Sequence, residues 1–143
     1  MIVKQLSAFI ENKAGSMAQI AELLANSGVD ISAVSLADST DYGIARMIVS
    51  DPEKAAKALR EAGVVCKITN VLAVAMDDAP GGFARVLHLL KNQSHEIKYM
   101  YACISRHEGK ALMIFSVEDV EEAEALIAGT SAGEIDPRDI YRI

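Results

Sequence analysis

A chain of 143 residues that is 51% hydrophobic and 24% charged carries enough apolar material for a packed core and too little charge for disorder. Its formal net charge of −6 argues against nonspecific binding to nucleic acid or to an anionic membrane surface. No run approaches the roughly 18 apolar residues of a membrane span, and Met1-Ile2-Val3-Lys4 does not begin a signal peptide, so a cytoplasmic protein is expected.

The elements follow in order. Residues 2–10 are rich in Ile, Val, Leu and Phe and read as a strand that runs into the turn Asn12-Lys13-Ala14-Gly15-Ser16. Residues 16–27 have helical apolar spacing at Met17, Ile20, Ala21 and Leu24, with Ser16 as N-cap and Gly28 as the stop. Val29–Ala37 is a second strand, Ser39–Gly43 a turn cluster, and Ile44–Ser50 a third strand. Asp51-Pro52 opens a helix that ends near Gly63, because Asp caps and Pro suits the first helical position. Val64–Thr69 is the closing strand, giving the order β-α-β-β-α-β of ferredoxin-like domains.

The chain then repeats itself. A shift of 66 residues superposes Gly15 on Gly81, Leu24 on Leu90, Ile31 on Ile97 and Gly43 on Gly109. It also lays the helical positions Met17, Ile20, Ala21 and Leu24 on Phe83, Val86, Leu87 and Leu90, and Ser50 on Ser116. The glycine turn recurs as Asp78-Ala79-Pro80-Gly81-Gly82. A duplication follows, with units at 1–70 and 71–143. In the second unit a helix is expected over Gly82–Gln93, a strand over His95–Cys103, a hairpin turn at Arg106–Gly109, a helix over Glu118–Ala128, and a last strand within Ile135–Ile143. The acidic run Glu118–Glu124 reads as a solvated helix face. Since Val64–Met76 is nearly continuous strand-like sequence, the expected architecture is α+β: two tandem βαββαβ units packed side by side into one body.

Catalytic chemistry finds little support. His88, His95 and His107 share no motif and read as structural or surface residues. There is no P-loop, G-x-G-x-x-G, S-x-x-K or H-E-x-x-H. Cys66 and Cys103 lack metal-ligand spacing and read as buried thiols in strands, so neither cofactor nor metal is expected. The glycine turns are better candidates. A glycine there lets the backbone turn tightly and leaves the first helical N–H groups free to receive a carboxylate. Asn12, with hydrogen-bonding groups of both kinds, and Asp30, which can take an ammonium, complete a kit for an α-amino acid.

Ile10-Glu11-Asn12-Lys13-Ala14-Gly15 followed by Ser27-Gly28-Val29-Asp30-Ile31 resembles an ACT domain, and the resemblance covers nearly the whole chain as two such domains in tandem. It implies that units pair through their second strands, here Val29–Ala37 and His95–Cys103, into a continuous eight-stranded antiparallel sheet with helices on one face and effectors at the seam. The first unit is most similar to the regulatory domain of phosphoglycerate dehydrogenase. That likeness implies ligand contacts at Asn12 and, in place of a second Asn, at Asp30; Ile10 stands where that enzyme has a His, and Lys13, Ala14, Gly15 and Ser16 of the same glycine turn complete the candidate site. In the second unit the matching positions are Asp78 and Glu96, two acids that suit an amino-acid carboxylate poorly, with Pro80, Gly81 and Gly82 of the repeated turn as further candidates. The implied function is a non-catalytic regulatory protein that binds an amino acid and modulates a separate metabolic enzyme or transporter, as a monomer or a homodimer. The competing reading is a structural interaction subunit with vestigial pockets.

Overall fold

A computed structural model describes residues 1–39, 41–94, 96–107 and 109–142, with 105–107 described by backbone alone. Thr40, His95, Glu108 and Ile143, assigned above to a turn, a junction or strand start, a hairpin turn and a terminal strand, lie outside the described residues, as does the His107 side chain. The elements are β1 (Ile2–Glu11), α1 (Ser16–Asn26), β2 (Ile31–Asp38), β3 (Tyr42–Val49), α2 (Pro52–Glu61) and β4 (Val65–Asp77). There follow α3 (Gly82–Leu90), β5 (Tyr99–His107), β6 (Lys110–Ser116), α4 (Val120–Ile127), a 3-10 turn at Ser131–Gly133 and α5 (Pro137–Tyr141).

The chain divides into two compact units, here named by the repeat. The first is Lys4–Thr69 with Tyr141–Ile143; the second is Met1–Val3 with Asn70–Ile140. In the first, β3 is flanked by β1 and β2, both antiparallel to it, with Ile10 and Asp38 each opposite Gly43. In the second, β6 is flanked in the same way by β4 and β5. Each unit has its own core. Leu6, Ala8, Met47 and Val49 of the first pack against Ile20 and Leu24 of α1 and Leu59 of α2. Leu72, Val74 and Phe115 of the second pack against Val86 and Leu90 of α3 and Ile127 of α4. Residues that the repeat aligns, such as Leu24 and Leu90, are thus buried in equivalent places because the same helical period faces the same strands.

The expectation of a continuous eight-stranded sheet is overturned. Six strands are formed among the described residues. Two differences account for the count. Val64–Thr69 and the strand expected next are one 13-residue strand, β4, because only Lys67 and Thr69-Asn70 interrupt its β-forming sequence and neither Gly nor Pro breaks it. The expected last strand is α5 instead. Asp136 accepts from the Arg138 N–H at 2.8 Å and its carbonyl from the Asp139 N–H at 2.9 Å, with Pro137 at the first helical position. This repeats the Asp51-Pro52 start of α2, where the Asp51 carboxylate accepts from the Lys54 N–H at 3.0 Å.

Smaller corrections are local. The strand expected at His95–Cys103 begins at Tyr99 and extends to His107, and α3 stops at Leu90 rather than Gln93. Ser16 does not cap α1: the N-cap is Gly15, left-handed at φ 85°, and no side chain caps the helix. Both cysteines are free and half-buried rather than fully buried. Burial pushes the Cys103 thiol up to about 12 and raises Cys66 as well. No helix among the described residues is long and apolar enough to cross a membrane.

Candidate functional site

At the end of β1 the chain leaves the sheet at Glu11, turns through Asn12–Gly15 and enters α1. The backbone is held by Lys13 N–H donating to Glu11 O at 2.9 Å and Ser16 N–H donating to Lys13 O at 3.3 Å. Gly15 at φ 85° takes the left-handed conformation that costs an L-residue with a side chain. Asn12 ties the turn to the β2–β3 connection, its Nδ2 donating to Ser39 O at 3.4 Å. The Lys13 ammonium, hydrogen-bonded to Glu11, holds the Glu11 carboxyl below the usual carboxylate range; the pair is 2.8 Å apart.

Beside this turn lies a cleft of about 190 Å³. Asn12, Lys13, Gly15 and Ser16 line it, with Ile10, Met17 and Leu36 as apolar wall and Asp38 across from them. The register brings these residues together. Ile10 and Asp38 each stand opposite Gly43, and the Ile10 and Leu36 side chains close over it: a Cβ there would lie 3.1 Å from Ile10 Cγ1 and 3.5 Å from Leu36 Cδ1. The volume lies below the roughly 300–1,000 Å³ of sites for drug-sized ligands and suits a small metabolite. The first-turn N–H groups of α1 have no intrahelical partners, and they supply positive potential at one end of the cleft. The Asp38 carboxylate, which makes no ion pair among the described residues, supplies a negative group.

Ala14 belongs to the turn but not to the cleft. Asp30 does not meet Asn12 within the unit. Its N–H donates to Ser50 Oγ at 3.0 Å, just beyond the far end of β3, whereas Asn12 adjoins the end where β3 begins. Eight residues of strand separate those ends, about 24 Å at 3.4 Å per step. Asp30 instead pairs with Arg142, Oδ2 to Nε 3.2 Å, and the guanidinium also donates to Ile31 O at 3.3 Å. Asp38, Leu36 and Gly43 were missed by inspection of the sequence. The recurrence of Gly43 as Gly109 was the one signal available; the strand pairing that brings Asp38 to the turn was not.

The second turn is built differently. Gly81 repeats the left-handed cap at φ 88°. Gly82 stands where the repeat has Ser16, and a Cβ there would lie 2.0 Å from the Asp77 carbonyl oxygen. Asp77, the counterpart of Glu11, faces Lys110 across the ladder. Lys110 donates to Asp77 Oδ1 at 2.5 Å and Arg85 of α3 stands 3.4 Å from Oδ2. The Lys110 hydrogen bond, then its charge, holds the Asp77 carboxyl below its ordinary value. Asp78 donates its backbone N–H to Gly109 O at 3.0 Å, and Pro80 is part of the turn. Glu96 is not at this turn. It lines a 280 Å³ cleft with Leu87, Leu90, Lys91 and Ser94 at the opposite end of α3, a nine-residue helix about 13 Å long. Among the described residues no group of three or more His, Cys, Asp or Glu is placed to hold a metal.

The two glycine turns, each leading a strand into a helix, sit within a duplicated βαββα framework, and a family model describing an ACT domain pair matches residues 1–143. The chain belongs to the ACT domain pair family. Among solved structures, this ACT pair is similar to protein BT0572 from Bacteroides thetaiotaomicron, at 32% identity and TM-score 0.89 over 100% of this chain and 98% of that one. It shares its fold with the regulatory subunit of aspartate kinase from Thermus thermophilus in ligand-free form, at 16% identity and TM-score 0.62 over 89% of this chain and 95% of that one. Aspartate kinase from Synechocystis gives 19% identity and TM-score 0.55, over 93% of this chain but 26% of the enzyme. No curated protein matches. The ACT pair therefore has the fold of regulatory subunits, and its tandem organisation spans the whole chain.

Proposed function

We propose that this ACT pair is a non-catalytic regulatory module whose two ACT domains occupy 1–70 and 71–143. It binds an amino acid at the first glycine turn and modulates a separate metabolic enzyme or transporter. The observation that carries the reading is the cleft between the uncapped N-terminus of α1 and Asp38, with Asn12, Lys13 and Ser16 around it. A zwitterion matches that polarity: its carboxylate at the α1 N–H groups, its ammonium at Asp38, its side chain against Ile10, Met17 and Leu36.

Binding would hold the end of β1, the start of α1 and the end of β2 in one arrangement. A ligand that favours that arrangement shifts the population, and a partner that prefers it reads the shift. Asp30 takes no part in this cleft, being engaged by Arg142.

A thermal-shift screen of the full chain against the twenty L-amino acids tests the reading. At a hundred times its dissociation constant a ligand adds about 2.7 kcal/mol, enough to raise the midpoint by several degrees. Asn12→Ala and Asp38→Asn are expected to abolish the response with the ligand-free midpoint unchanged, and Asp30→Ala to leave it in place. Silence across the panel would overturn the reading in favour of an interaction subunit.

A further inference from the structure

Ser16 is the anomaly of the first turn. Its residue surface is only 8% exposed, yet it neither caps α1 nor has a hydroxyl partner among the described residues. A buried hydroxyl left unpaired is unfavourable, and native interiors rarely keep one without a ligand or water to satisfy it. Ser16 also stands at a particular place. It lines the cleft with Asn12 and Asp38, and it lines a second cleft of about 190 Å³ on the other side of the turn, with Phe9, Gln19 and Gly63. Ser16 is the first residue of an 11-residue helix and lines the same cleft as Lys13.

The second unit has no equivalent. Gly82 fills the aligned position, and the Asp77 carbonyl occupies the space that any side chain there would need. Lys110 and Arg85 are already engaged with the Asp77 carboxylate.

We infer that each chain takes up one carboxylate ligand, at the first turn, and that the Ser16 hydroxyl is the donor that selects this turn over the second. The inference rests on the reading of the first turn as an amino-acid site and deepens it. The hydroxyl donates to a ligand carboxylate oxygen while the α1 amides hold the same group. The second turn, without that donor and with its cations engaged, stays empty.

The test uses the full chain and, as probes, the twenty L-amino acids and their α-carboxamides. Free acids that raise the melting midpoint are then titrated by calorimetry. The expected result is one site per chain, no response to the matching carboxamide, and at least about tenfold weaker binding in Ser16→Ala. Ser16→Gly, which copies the second unit, is expected to weaken binding to the same extent. Ser16→Ala should keep the ligand-free midpoint, and Ser16→Gly should lower it by a few degrees at most. Two sites per chain, equal binding of the carboxamide, or undiminished affinity in both variants would overturn the inference while leaving the amino-acid reading in place. Silence of the wild-type chain to every free acid would overturn both.

Discussion

The two glycine turns occupy matching places in the repeat and are lined differently. At the first, the strand-end acid Glu11 pairs with Lys13 inside the turn, and a cleft lined by Ile10, Ser16 and Asp38 lies beside it. At the second, the ladder is offset by two residues from the repeat, so Lys110, rather than the aligned position, faces the strand-end acid Asp77. Gly109 then falls outside the ladder, in the connection, at φ 76°. The helix draws so close to Asp77 that only a glycine fits at position 82. A duplicated backbone can therefore keep its helix start while its lining diverges from open and polar to closed and ion-paired.

Exchanging the residues at the aligned position is the strongest way to break this comparison. Gly82→Ser forces a Cβ onto a backbone oxygen that cannot withdraw cheaply, and is expected to cost at least about 3 kcal/mol. The reciprocal Ser16→Gly should cost about 1 kcal/mol or less, since only helix propensity is lost. Urea unfolding of both variants would show the asymmetry; equal costs would mean that the turns are not packed differently.

Replacing the left-handed glycines probes what the turns still share. Gly15→Ala and Gly81→Ala meet nothing within 4 Å, so their cost is conformational alone. Each is expected to lose about 1–2 kcal/mol, and the two losses should agree closely. A marked inequality would show that the backbones have diverged along with their linings.

The smallest effect sharpens the electrostatic contrast. Both strand-end carboxyls are depressed, so each favours the folded state above its unfolded value and loses that contribution as pH falls through the folded one. Lys13 is two residues from Glu11 and can stay near it in the unfolded chain, whereas Lys110 is 33 residues from Asp77 and meets it only on folding. Asp77→Asn should therefore flatten the fall of stability between about pH 5 and pH 3, and Glu11→Gln should not. Denaturation midpoints across that range would decide it.

Much of the fold could be read from the residues themselves. Helical spacing at Met17, Ile20 and Leu24 and again at Phe83, Val86 and Leu90, the paired glycines, and Asp51-Pro52 are local signals, because helix periodicity, left-handed turns and caps are set by a few neighbouring residues. Asp136-Pro137 is the same kind of local signal, although a last strand was expected within Ile135–Ile143. Tandem order and membership of the ACT family also follow from the sequence. Tertiary structure decided the rest. The burial of Ser16, the arrival of Asp38 at the first turn, the separation of Asp30 from Asn12, and the closure of the second turn on Gly82 all depend on strand register and on helix-to-strand distance. Those quantities arise from contacts between residues far apart in sequence, where a two-residue offset in one ladder replaces the neighbours of a whole turn.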